Sequence, residues 1–188
     1  MSTISTNRRT LVLSGAAALA AVGLMPRNGV AARVIQSGGG IAGGGSVTTD
    51  SEGPGEFSVF GSQFSVEGSD TPIFFGSLSY LDVTASMTIE SISITAYGPL
   101  EGAEATTRQM TGTCSVNNKG VHPFDVTLVD GGPIGTGSDS FQLAVGNDGE
   151  AEVTDPFYLV QSTVQSGNLQ LIDFVFEDDA DASATPAG

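Results

Sequence analysis

The sequence predicts an all-β domain, most simply an antiparallel β-sandwich of the jelly-roll type with about eight or nine strands. Apolar residues alternate with polar ones in short segments, which is the period of a half-buried strand. No segment shows the apolar period of a helix, and clusters of Gly, Asn, Asp and Pro separate the segments at intervals of roughly 10–15 residues. A small antiparallel β-barrel has the same signature and is the alternative.

The predicted strands follow one another between residues 46 and 176. In the first, Phe57 and Val59 alternate, and Phe64 and Val66 resume out of phase across Gly61, which indicates a β-bulge. The later strands are marked by Leu78 and Tyr80, by Met87 to Ile94 with a phase slip near Ser91, by residues 106–116, by Phe124, Val126 and Leu128, by Phe141, Leu143 and Val145, and by residues 169–176. Asn117, Asn118, Lys119 and Gly120 are suited to positive φ and predict a hairpin turn.

Residues 1–32 have the layout of an export signal peptide. Arg8 and Arg9 precede an uncharged apolar run at residues 10–25, and paired arginines indicate the twin-arginine route, although an ordinary secretory leader also begins with positive charge. The run falls short of the roughly 20 residues that span a bilayer. The sequence therefore predicts cleavage near Ala32 and a secreted or extracytoplasmic product without a membrane segment.

The ends of the remaining chain have low-complexity composition. Residues 33–45 are rich in glycine and predict a flexible linker, and residues 177–188 predict a disordered acidic tail. The linker formally contains the dinucleotide-binding spacing Gly38-x-Gly40-x-x-Gly43. We discard that match because no strand is expected before it and no helix after it.

The charge of the mature chain limits its partners. Residues 33–188 hold three basic residues against 21 acidic ones, a net charge of −18. Such a surface repels nucleic acid and anionic lipid, whereas metal cations and basic partners are attracted. The same charge also fits a soluble extracellular protein, and we expect a monomer.

Two single residues restrict the available chemistry. Cys114 is the only cysteine, which excludes an internal disulfide, and its apolar neighbours predict a buried side chain. His122 is the only histidine, which excludes a multi-histidine metal site. Asp125 lies close enough in sequence for a Ser-His-Asp triad, but no Gly-x-Ser-x-Gly motif is present, and an exposed turn histidine is expected.

Two groups of carboxylates are candidates for a site. Asp82, Glu90, Asp125 and Asp173 lie in or beside strands and would act in acid–base catalysis if two of them shared a cleft. Asp130 and Asp139 bracket a glycine-rich loop whose oxygens would suit calcium. The alternative for the loop is that both carboxylates accept hydrogen bonds from nearby backbone N–H groups. No other cofactor is indicated.

Six short segments in this order resemble the post-COAP domains, a family of secreted bacterial all-β domains. They are GSLSY at residues 76–80, SISIT at 91–95, TGTCSVN at 111–117, FDVTLVD at 124–130, GTGSDSF at 135–141 and GNLQL at 167–171. The resemblance covers about residues 45–174 and implies an extracellular β domain, often appended to larger proteins, with no catalytic residues.

Together these observations predict an exported, non-catalytic β-sandwich that binds a ligand or serves a structural role at the cell surface or in the extracellular space. Its working surface would be the loops at one end, with Asp130 and Asp139 as the first candidates. The alternative is a small secreted hydrolase or isomerase that uses strand carboxylates inside a barrel cavity.

Overall fold

The computed structural model describes residues 9–13, 35–50, 52–133 and 138–176. Every regular element within them is a β-strand. The strands are β1 (Arg9–Leu13), β2 (Ile35–Thr48), β3 (Pro54–Val66), β4 (Ser69–Asp82), β5 (Met87–Pro99), β6 (Thr107–Val116), β7 (Lys119–Val129), β8 (Ser140–Val145), β9 (Tyr158–Thr163) and β10 (Ser166–Phe176). The predicted all-β class is confirmed.

The strands form one sheet in the order β1-β10-β2-β3-β4-β5-β6-β7-β8-β9. From β2 to β9 each strand pairs antiparallel with the next, so this part is a meander. The sheet curls strongly into a half-barrel, which is closer to the small-barrel alternative than to a jelly roll. Residues 1–8 and 14–32 of the predicted leader, residues 33 and 34 of the predicted linker, and the tail at 177–188 lie outside the described residues; Arg9–Leu13 pairs in parallel with β10.

The chain itself brings the two ends of the curled sheet together. Strand β9 ends at Thr163, and only Val164 and Gln165 separate it from β10, which lies beside β2 at the other end of the strand order. The Gln165 N–H donates to the carbonyl of Ser46 at 2.8 Å. The Thr48 N–H donates to the Ser162 hydroxyl at 3.3 Å, which links β2 to β9 directly.

The inner face of the curled sheet holds a single apolar core. Alternate residues of a strand point to the same face, so the inward set is regular along each strand. The Phe57 and Phe141 rings stack across it with centroids 4.3 Å apart. The other fully buried side chains include Ile41, Leu78, Tyr80, Ile89, Met110, Phe124, Val126, Leu128, Leu143, Val160 and Leu169.

The predicted linker is wrong from Ile35 onward, because that segment is β2 and pairs with both β10 and β3. Its glycines permit close approach of neighbouring backbones. A Cβ at Gly43 would collide with the Asn168 carbonyl, and one at Gly45 with the Ser166 carbonyl. Composition alone cannot separate such a strand from a flexible segment, because glycine carries no alternating apolar signal.

The predicted bulge at Gly61 is also wrong. Gly61 pairs regularly with Ile41 and Gly76, and the register shift lies between Phe64 and Val66. Phe64 is out of phase because it lies on the outer face, where its ring contacts the rings of Phe75 and Phe174. The phase slip predicted near Ser91 is confirmed, since β5 is shifted against β6 between Ser91 and Ser93.

Candidate functional site

Asp130 and Asp139 join the β7–β8 connection to β10. Asp139 is 6 % exposed; its Oδ1 accepts the Gly131 N–H at 2.9 Å and its Oδ2 the Leu169 N–H at 2.7 Å. Asp130 accepts the Gly132 N–H at 3.1 Å and the Leu171 N–H at 2.9 Å. Both carboxylates therefore accept hydrogen bonds from nearby backbone N–H groups, as the alternative to calcium predicted. Each also accepts one from β10, which lies 30 residues away in sequence for Asp139 and 41 for Asp130.

These contacts bear on the calcium hypothesis for Asp130 and Asp139. Each of the four carboxylate oxygens already accepts a backbone N–H, and a bound cation would have to replace those donors. We expect millimolar calcium to leave the thermal melting temperature unchanged, compared with magnesium at equal ionic strength. A rise specific to calcium, abolished by Asp130→Asn, would establish the metal site, because a ligand that binds only the folded state stabilises it.

The four strand carboxylates are dispersed over the sheet. Glu90 is exposed and accepts the Ser79 hydroxyl at 2.8 Å. Asp125 lies on the outer face, where burial raises its pKa and a 2.6 Å hydrogen bond from Gln109 opposes the shift. Asp82 and Asp173 share the inner phase of their strands but lie toward opposite ends, since Asp82 pairs with Gly55 and Asp173 with Gly39.

Asp82 belongs to a hydrogen-bonded cluster at one end of the half-barrel. It is 2 % exposed and accepts the Ala85 N–H at 2.8 Å and the Tyr158 hydroxyl at 2.9 Å. The Tyr158 and Tyr80 hydroxyl oxygens lie 2.8 Å apart. The cluster ties β4 to β9 across the core, and Tyr158 lies in a stretch that carried no clear sequence signal.

Burial raises the pKa of all three tyrosines in the chain, Tyr80, Tyr97 and Tyr158, above the ordinary value of 10.0. Hydrogen bonding to Tyr80 and to Asp82 raises that of Tyr158 further. A raised folded pKa contributes stability that is complete below the unfolded pKa and is lost as pH rises toward the folded pKa.

We therefore expect the melting temperature to fall as pH rises beyond 10.0, the value at which unfolded tyrosines ionise. Tyrosinate absorbance should appear together with loss of the β-sheet circular dichroism signal, and not before it. Tyrosinate that forms near pH 10.0 in a folded chain would contradict the burial of these hydroxyls.

The other end of the half-barrel contains a polar group that the sequence did not reveal. Tyr97 is 5 % exposed, and its ring packs over Gly61, where a Cβ would lie 2.7 Å from the ring. Its buried hydroxyl forms no well-directed hydrogen bond with the described residues. Burial raises the pKa of Tyr97, and the adjacent Arg108 guanidinium opposes that rise through its charge and through a poorly directed hydrogen bond to the phenol. Arg108 itself donates to the carbonyls of Ala105 and Thr107, both at 2.8 Å.

A row of inner-face residues lies near Tyr97 on the opposite strands. Asp173 of β10 pairs with Gly39 of β2, and Gly39 pairs with Gln63 of β3, so a glycine separates two polar side chains. There is room at this glycine, because a Cβ there would have its nearest neighbours at 3.7 and 4.0 Å. The Gln63 Oε1 would lie 3.6 Å from a Cβ at Gly98, the residue after Tyr97. We call Gly39, Gln63, Tyr97, Arg108 and Asp173 the polar slot.

The two single residues are both part of the protein's packing. Cys114 is fully buried, as expected, and burial raises the pKa of its thiol to about 12. His122 is half-buried and not fully exposed as expected: its ring packs against Phe157 and its Nδ1 lies 3.1 Å from the Gly146 carbonyl oxygen. Asp125 instead accepts from Gln109.

Comparisons add no relative to this description. No family model, no curated protein and no solved structure matches the chain. Within the described ranges, no group of three or more His, Cys, Asp or Glu side chains is arranged to hold a metal ion. No helix in that part of the chain is long and apolar enough to cross a membrane.

Proposed function

We propose that the protein is an exported, non-catalytic β module that binds a ligand outside the cytoplasm. The observation that carries this proposal is the dispersal of the four strand carboxylates. Glu90 and Asp125 lie on the outer face, and Asp82 and Asp173 lie toward opposite ends of an inner face filled by one apolar core. Acid–base catalysis with two carboxyl groups needs them on either side of one substrate bond.

Charge and sequence support the extracellular part of the proposal. The mature chain has a net charge of −18, which fits a soluble exported protein and disfavours nucleic acid as the ligand. The resemblance to the post-COAP domains points the same way. We expect the mature module to act as a monomer that recognises a surface polymer or another extracellular ligand.

The binding proposal is tested by incubating the purified chain with a panel of extracellular polymers, namely neutral and acidic polysaccharides, cell-wall glycopeptide and basic proteins. We expect saturable retention on at least one polymer, with the polymer's length unchanged. Absence of saturable retention on every polymer would overturn the proposal. Release of shorter products that is lost in Asp82→Asn or Asp173→Asn would instead establish the hydrolase alternative.

The export route is tested separately in the full chain. Replacement of Arg8 and Arg9 together by lysine should retain the protein in the cytoplasm, because the twin-arginine pathway reads the paired guanidinium groups. The measurement is the fraction of chain outside the cytoplasm, with Arg27→Lys as the matched control. Normal export of the twin-lysine chain would assign it to the general secretory route.

A further inference from the structure

We propose that the polar slot binds the hydroxyl groups of a neutral saccharide, with Gly39 as its floor and Tyr97 as its innermost contact. This inference rests on the proposed binding function and gives it a site and a ligand class. It starts from an unusual feature, since buried polar side chains almost always have a partner and the Tyr97 hydroxyl has no well-directed one among the described residues. Such a group marks a place where a water molecule, an ion or a ligand can complete the hydrogen bonding.

The shape of the slot follows from strand register. Asp173 and Gln63 flank Gly39 on the inner face, and a side chain at that position would occupy the space between them. Tyr97 and Arg108 face this row from β5 and β6. Gln63, Gly39, Arg108 and Asp173 are partly exposed, so this row reaches the solvent, whereas the Tyr97 phenol lies buried beneath it and a ligand contacts it only after one of these side chains moves.

The chemistry of the slot fits a neutral hydroxylated ligand better than an ion. A guanidinium only donates, a carboxylate only accepts, and amide and phenol groups do both. Sugar hydroxyls also donate and accept, so they can bond to the Tyr97 phenol and to the neighbouring polar groups in addition to the bonds those groups make within the protein. Arg108 and Asp173 carry opposite charges, which leaves the slot without net charge, and the chain's overall charge of −15 repels anionic ligands.

The proposal predicts that stability and binding respond differently to substitution. Tyr97→Phe removes a hydroxyl that lacks a well-directed partner among the described residues, and should leave thermal stability unchanged or raised while weakening saccharide binding about tenfold. Tyr80→Phe is the matched control, because its hydroxyl contacts Tyr158 and lies in the other cluster. It should lower stability and leave binding unchanged.

A second pair of variants tests the floor of the slot. Gly39→Ala adds one methyl group to the floor and should weaken binding less than Gly39→Leu does, although its Cβ meets only ordinary contact distances within the protein. Gly39→Leu should abolish binding by filling the space between Asp173 and Gln63. Both variants should retain the β-sheet circular dichroism spectrum.

The experiment uses the full chain on an array of neutral and acidic oligosaccharides, followed by calorimetric titration with the best neutral binder. Selective retention of neutral glycans that is lost in Tyr97→Phe and Gly39→Leu supports the proposal. Glycan binding that survives both substitutions would overturn the slot as the site. Retention only on a non-glycan polymer would overturn the assignment of a saccharide ligand but leave the proposed binding function standing.

Discussion

Replacement of Asp139 by alanine is expected to cost about 2–3 kcal/mol of folding free energy. The substitution leaves the backbone N–H groups of Gly131 and Leu169 without their acceptors. An unsatisfied buried donor costs about 1–3 kcal/mol, which applies to the buried Leu169 N–H, whereas Gly131 is exposed and water can replace its lost acceptor. Because small domains are stable by only about 5–15 kcal/mol, the loss should be obvious in urea unfolding.

The control for Asp139→Ala is Asp148→Ala. Asp148 also accepts a backbone N–H, that of Val121 at 2.7 Å, but it is exposed, and water can replace it. We expect a loss of less than about 1 kcal/mol for this variant. Equal losses for the two variants would show that the contact between Asp139 and β10 does not hold the half-barrel together. Asp139→Asn, which retains one acceptor oxygen, should fall between the two alanine variants.

Asp130 and Asp139 form local hydrogen bonds, which the sequence predicts, and distant ones, which it does not. Turn chemistry identified Asp130 and Asp139 as residues that accept local backbone N–H groups, and the bonds to Gly131 and Gly132 are of that kind. The bonds to Leu169 and Leu171 depend on how the sheet curls, since β10 returns beside β2 and approaches the β7–β8 connection. No local sequence pattern indicates that β10 takes this position.

The strands themselves were predictable wherever one face is buried and the other is exposed to solvent. Alternation at Phe124, Val126 and Leu128 and at Phe141 and Leu143 marks the inner face of β7 and β8 without ambiguity. The alternation is clear because these side chains all contribute to one core. Strand β9 was missed because it is six residues long and places only Val160 fully in the core.

The polar slot could not be found from the sequence because its members come from five strands. Tyr97 and Arg108 lie eleven residues apart on a hairpin, whereas Gly39, Gln63 and Asp173 are brought side by side only by register. One signal was available. Arg108 stands in phase with Met110 and Cys114, and a single arginine on the apolar face of a strand in so acidic a domain indicates a specific partner.

The second substitution with a large expected effect on stability concerns a glycine of β2. Gly45→Ala should cost about 3 kcal/mol or more, because its Cβ would collide with the Ser166 carbonyl and lie 3.1 Å from a Val164 methyl group. Both neighbours belong to the corner between β9 and β10, whose position closes the half-barrel. Overpacking costs of about 1–3 kcal/mol are typical where side chains can adjust, and backbone atoms adjust less.

Gly39→Ala is the matched control, since it lies in the same strand, on the same face and between the same two neighbouring strands. Its Cβ would meet only ordinary contacts, and alanine restricts the unfolded chain, so we expect a change between zero and about 1 kcal/mol of stabilisation. Urea unfolding followed by circular dichroism measures both variants. If residues 35–45 were a flexible linker, neither substitution would change the free energy of unfolding. A closely packed strand instead requires a large loss of stability for Gly45→Ala and none for Gly39→Ala.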